Sequence, residues 1–162
     1  MDYIIKRCEY EELLEVAHLY NELSRELKQF TNDRVAEETQ ITDYTMNRIL
    51  RSAIKECNLI IFVAKVQDEV IGFITGSIKK GEALTSGCNP IGYVEGAYVL
   101  HEYNAEEILT QLEDKLIEEF KNHKVCFSGL NASNKMKDGA DTWMSEGYQS
   151  YRQLKKSFCH QY

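Results

Sequence analysis

Residues 59–80 constrain the fold more than any other stretch. LIIFVAKV (59–66), a short Gln67-Asp68-Glu69 turn and VIGFITGSIKK (70–80) form two apolar runs rich in β-branched residues, the pattern of a β-hairpin. The flanking segments decide what surrounds it. Residues 3–8 (YIIKRC) read as a short strand. From Glu9 onward Leu13, Val16, Tyr20, Leu23, Leu27 and Phe30 recur at the three- and four-residue spacing of an amphipathic helix. After a polar stretch (TNDRVAEETQ), Thr42 is placed to cap a second helix with Met46, Ile49, Leu50, Ala53, Ile54 and Cys57 inward. A Gly/Ser/Asn loop over 81–90 leads to a strand over 91–100 (IGYVEGAYVL), then a helix over about 105–120 with Leu109, Leu112, Leu116 and Phe120 on one face. A strand over 124–130, a helix over 134–146 and an alternating strand over 147–158 complete the chain. The order β-α-α-β-β-β-α-β-α-β is a mixed α/β layer fold rather than a doubly wound parallel sheet.

Length and charge narrow the function. With 162 residues and no linker or repeat, the chain reads as a single domain over 1–162. Its 19 Lys and Arg against 26 Asp and Glu, a net charge of -7, exclude a general nucleic-acid binder and a polybasic membrane anchor. No run reaches the roughly 18 apolar residues of a membrane span. The charged N-terminus (MDYIIKRCEYEELLEV) lacks the apolar core of a signal peptide, so a cytoplasmic protein is expected. Five scattered cysteines without a C-x-x-C pair, and four histidines away from them, predict reduced thiols and no metal site.

The hairpin NLIIFVAKVQDEVIGFITGSI, the strand GYVEGAYVL and the ending Trp143-x-x-x-Gly147-Tyr148 occur in an order that resembles the GCN5-related N-acetyltransferases. The resemblance runs from about Tyr3 to Phe158. It implies a GNAT-like, mostly antiparallel sheet with helices on both faces, and transfer of an acetyl group from acetyl-CoA to a primary amine of a small molecule or a protein. Such chemistry needs a deprotonated amine, a donor for the carbonyl oxygen and protonation of the departing thiolate. The resemblance assigns carbonyl and pantetheine binding to the main chain of Tyr98, Val99 and Leu100, with the Val99 N–H polarising the carbonyl. It places Glu95 where relatives extract the amine proton. A carboxylate on an otherwise apolar strand would have its pKa raised by desolvation, and the competing reading is a solvent-facing residue of an alternating strand. Trp143 stands where relatives carry a tyrosine acid, and an indole N–H has no useful acidity. Tyr148, Tyr151 or a water could serve instead.

The chain departs from the resemblance where relatives hold the CoA pyrophosphate in an [Arg/Gln]-x-x-Gly-x-[Gly/Ala] loop at a helix start. The matching residues are Asn104, Ala105, Glu106, Glu107, Ile108 and Leu109, with Asn104 in place of Arg or Gln, Glu107 in place of the first glycine and Leu109 in place of the second. Two carboxylates about 4–6 Å from an anion cost on the order of 1–4 kcal/mol. That corresponds to roughly tenfold to thousandfold weaker binding. Residues 101–120 hold seven acidic side chains and one lysine, so the charge excess concentrates there. Asn131 and Asn134 follow the fifth strand where relatives often face the cofactor arm, though turn or cap duty suits them as well. Cys88, in a Gly/Ser loop, has no base tied to it. Lys155 and Lys156, at the end of the last strand, suit an exposed sheet edge and could also reach a phosphate. The acidic surface favours a cationic acceptor. Homodimers are common in such families, but no segment marks an interface. Two readings follow: a divergent acyl-CoA N-acyltransferase, or a protein of the same fold that has lost acyl-CoA binding and serves as a ligand-binding or protein-interaction module.

Overall fold

The computed structural model describes residues 2–31, 41–80, 90–125 and 127–130. The helix expected over 134–146, the last strand, and the expectations for Cys88, Asn131, Asn134, Trp143, Tyr148, Tyr151, Lys155 and Lys156 lie outside them. Strand β1 (Ile4–Arg7) is followed by a single 3-10 turn (Tyr10–Glu12) and helix α1 (Leu13–Thr31). Helix α2 (Asp43–Glu56), β2 (Ile60–Val66), β3 (Glu69–Lys79), β4 (Ile91–Val99), α3 (Ala105–Asn122) and β5 (Phe127–Leu130) follow.

Helix α2 starts where a side chain satisfies one of its first N–H groups. Thr42 Oγ1 accepts from the Thr45 N–H at 3.2 Å. The helix expected from Glu9 begins instead with the 3-10 turn. There Glu12 folds back and its Oε2 accepts the Glu9 N–H at 2.9 Å. The hairpin turn is also one residue tighter than expected, because Glu69 pairs with Val66 and Gln67 takes the left-handed conformation (φ 54°).

The five strands lie in sequential order, β1 to β4 antiparallel and β5 parallel to β4. A parallel neighbour requires a crossover, and α3 is that connection. It packs on one face, where Ile108, Leu112, Leu116 and Phe120 meet Ile60, Phe62, Ile71, Ile74 and Val94. On the other face α1 and α2 bring Leu13, Val16, Ala17 and Leu50 against Ile61, Val63, Val70 and Phe73. Strands β2 and β3 are therefore covered on both sides, which is why their sequences are nearly continuous apolar runs.

Gly92 shows how tightly α3 is seated. A Cβ on Gly92 would lie 2.6 Å from the Phe120 ring, itself 2% exposed. Gly92→Ala is expected to cost about 1–3 kcal/mol through overpacking. Urea unfolding will read that loss, and Phe120→Leu in the same chain should recover part of it. An unchanged midpoint for Gly92→Ala would mean that α3 can lift off the sheet without penalty.

Candidate active site

The site forms around an irregularity in β4. Gly96 pairs with Thr75 and Val94 pairs with Gly76, so Glu95 is one residue more than β3 can match. This is a β-bulge, which turns consecutive side chains to one face and bends the strand. Tyr93, Glu95, Gly96 and Tyr98 consequently all point toward the α1 side. A Cβ on Gly96 would lie 2.6 Å from the Tyr20 hydroxyl, so only glycine leaves room there for α1. Glycine directly after a glutamate in a strand was the sequence signal for the bulge.

Glu95 is not surrounded by apolar groups, contrary to expectation for a carboxylate on this strand. Its Oε1 accepts from the Ser77 hydroxyl and lies 3.1 Å from the Lys79 ammonium, with the carboxylate side chain 30% exposed. Lys79 also lies over the Tyr93 ring, 5.0 Å from its centroid. The buried Ser77 thus orients a carboxylate that can still reach solvent. Nearby, the Tyr20 hydroxyl and Thr75 Oγ1 are hydrogen-bonded at 2.9 Å, and Thr75 donates to the Gly96 carbonyl at 3.2 Å. Burial raises the Tyr20 pKa and keeps its phenol protonated.

Beyond the bulge, the ladder sorts the main-chain groups. Leu100 N–H donates to the Ile71 carbonyl at 2.9 Å. In an antiparallel ladder alternate residues turn both N–H and C=O to the partner. With the register of Val99 on Gly72 and Tyr98 on Phe73, the main chain of Tyr98 and Leu100 faces β3. The N–H and C=O of Ala97 and Val99 face the opposite edge. There β5 pairs with Ile91–Val94 only, through Phe127–Leu130. Among the described residues, no strand covers the Val99 edge.

The Tyr98 side chain has a separate role. Its hydroxyl donates to Glu26 Oε1 at 2.7 Å, and His101 Nε2 contacts the same oxygen at 2.7 Å. Burial first, then the Glu26 carboxylate with Glu22 and Glu102 behind it, pushes the Tyr98 pKa far up, so the phenol remains a donor. Glu22 and Glu26 on α1 were not singled out by sequence reasoning, because they resemble any other outer-face acid of an amphipathic helix.

The start of α3 lies apart from this cluster. Asn104 occupies the cap position, and its amide donates to Glu107 Oε2 at 3.3 Å. Tyr3, just before β1, donates its hydroxyl to Glu107 Oε1 at 2.9 Å, and Gln111 donates to the Tyr3 oxygen. Ile108 is buried in the core, with Ala105 and Leu109 packed against it. Asn104, Glu106, Glu107, Thr110 and Gln111 line a shallow open depression of about 470 Å³. Among the described residues its lining holds no cation and no glycine, and Glu107 already accepts from Tyr3 and Asn104. Two first-turn carboxylates with no described cation beside them do not fit a diphosphate.

Among the described residues, no group of three or more His, Cys, Asp or Glu could hold a metal ion. None of their helices is long and apolar enough to cross a membrane.

Among the described residues, a bulged fourth strand with a parallel neighbour lies between a two-helix layer and a crossover helix. The acetyltransferase (GNAT) family model matches residues 16–135, and the chain belongs to that family. Solved structures agree at the level of fold. A predicted acetyltransferase with acetyl-CoA from Clostridium acetobutylicum superposes with a TM-score of 0.76 at 14% identity, covering 97% of this chain and 96% of that one. An aminoglycoside antibiotic 6'-N-acetyltransferase from Acinetobacter baumannii gives 0.73 at 15% identity, covering 98% and 99%. A transcriptional regulator from Bacillus halodurans C-125 gives 0.74 at 17%, covering 97% and 100%. No curated protein matches the chain.

Proposed function

We propose that the chain transfers an acyl group from a thioester to a primary amine of a small molecule or a protein. The observation that carries this reading is the bulge, which offers a solvent-reachable carboxylate on one side of β4 and leaves the Val99 N–H on an edge that no described strand covers. Glu95 takes a proton from the incoming ammonium, and the freed amine nitrogen attacks the thioester carbonyl. The Val99 N–H donates to the carbonyl oxygen as negative charge develops there. The C–N bond forms, the C–S bond breaks, and the thiolate takes its proton from solvent. Lys79 indicates the specificity: Glu95 already holds a primary ammonium at 3.1 Å, the group the acceptor would present. The neighbouring Glu22, Glu26 and Glu102 favour a cationic acceptor.

The start of α3 favours a second reading, a GNAT-fold protein that binds no acyl thioester and works as a ligand-binding or protein-interaction module. Melting separates the two, because a ligand that binds only the folded state raises Tm. Acetyl-CoA or S-acetyl-pantetheine at several millimolar is expected to raise Tm by a few degrees. No shift and no saturable heat with either compound would leave the second reading standing.

A further inference from the structure

We infer that the acyl donor is a thioester on a pantetheine-type arm that carries no diphosphate. This rests on the reading of the chain as a thioester-dependent acyltransferase and names the donor class for the same site.

The two ends of α3's environment point the same way. A helix N-terminus attracts anions because its first N–H groups are unpaired and its dipole is positive there. In this chain Glu106 and Glu107 occupy the first turn, and their carboxylates already answer that charge. Both oxygens of the exposed Glu107 are also engaged. Tyr3, placed by β1, donates to one of them, and the Asn104 amide donates to the other. Moving Glu107 aside for a phosphate would break both contacts and leave Tyr3 with Gln111 as its partner. The same residues that would have to admit a diphosphate therefore form the joint between β1 and α3.

The edge of β4 that no described strand covers makes no such demand. Ala97 and Val99 turn their N–H and C=O groups to that edge, so an extended arm bearing amides can pair with them as a short added strand. Those contacts are main-chain only and involve no charge, whereas the start of α3 presents two carboxylates to any anion.

Calorimetric titration of the full chain with acetyl-CoA and with S-acetyl-pantetheine tests the inference without knowledge of the acceptor. At low ionic strength acetyl-CoA should bind at least about tenfold more weakly than the S-acetyl-pantetheine fragment, since its diphosphate meets Glu106 and Glu107. Raising ionic strength from about 0.02 to 0.3 M should tighten acetyl-CoA and leave the uncharged fragment unmoved, because salt screens repulsion. The double variant E106Q/E107Q keeps an oxygen acceptor for Tyr3. It should tighten acetyl-CoA at least tenfold with no change for S-acetyl-pantetheine. An unchanged melting curve will show that the β1–α3 joint survives. Acetyl-CoA binding more than about thirtyfold tighter than the fragment, and insensitive to the double variant, would overturn the inference while leaving a thioester site in place. Binding of neither compound would instead overturn the thioester reading itself, and the inference with it.

Discussion

Replacing Glu95 by glutamine is expected to lower kcat/KM for amine acylation by about a hundredfold to ten-thousandfold, the usual worth of a positioned general base. The substitution tests the proton and little else. A glutamine carbonyl can still accept from Ser77, and the side chain is part-exposed, so the bulge has no reason to relax. Donor affinity should stay within about twofold, because the thioester arm is read by the Val99 edge rather than by Glu95. Thiol release measured against a panel of primary amines, with donor titration run in parallel, separates the two effects. Activity within threefold of the parent, with donor binding intact, would reduce Glu95 to a charge partner for Lys79. The proposed base would then be wrong.

Glu12→Ala is the largest expected loss of stability. Only 6% of Glu12 is exposed, and its Oε1 lies 2.7 Å from the Lys65 ammonium and 2.9 Å from that of Lys6. Its other oxygen caps the Glu9 N–H. One carboxylate therefore ties the turn before α1 to β1 and β2. Removing it leaves two ammonium groups close together, one of them with a side chain only 13% exposed, and an unpaired backbone donor. Breaking such a pair costs about 3–5 kcal/mol when both charges are buried, and the part-exposed lysines place this case near the lower end. For a chain of this size that is a fall in Tm of roughly 6–12 °C. Glu12→Gln keeps an acceptor for the Glu9 N–H and should lose less.

The same carboxylate sets part of the acid limit. Burial alone would raise its pKa, but the Glu9 N–H, Lys65 and Lys6 outweigh burial and hold it below the ordinary 4.5. Asp43 is held low by the Asn21 amide and His18, and Glu119 by Arg7. A carboxyl with a depressed folded pKa stabilises fully above its unfolded value and loses that contribution as pH falls through the folded value. Tm should therefore drop below about pH 4.5, and Glu12→Gln should flatten part of that drop. Parallel pH curves for the parent and Glu12→Gln would contradict this assignment. Neither variant approaches β4, so acylation by the surviving folded fraction should be unchanged.

Much of this architecture was legible before any coordinates. The β2–β3 hairpin, the Thr42 cap and most of the inward stripes are local patterns, set by side chains a few residues apart; on α2, Ile49 and Cys57, expected inward, are exposed. The departure of Asn104, Glu107 and Leu109 from the phosphate-loop pattern is likewise read from adjacent residues. The entry into α1 differs because the Glu12 N–H closes a 3-10 turn on the Glu9 carbonyl, which apolar spacing does not distinguish from a first α-turn. Choosing between a desolvated and a solvent-facing Glu95 needed the neighbouring strand. Strict alternation gives no hint that Ser77 and Lys79, on the neighbouring strand, would share its face.

The sequence by itself determined which segments are helix and strand, the family to which they belong and the acidity of α3's first turn, because each is written in neighbouring residues. Only the tertiary structure decided that Glu95 is the unmatched residue of a bulge, which strand edge the Val99 N–H faces, and that Tyr3 bonds Glu107. These follow from register and from a contact spanning 104 positions, and such relations exist only once the strands have paired and β1 has met α3.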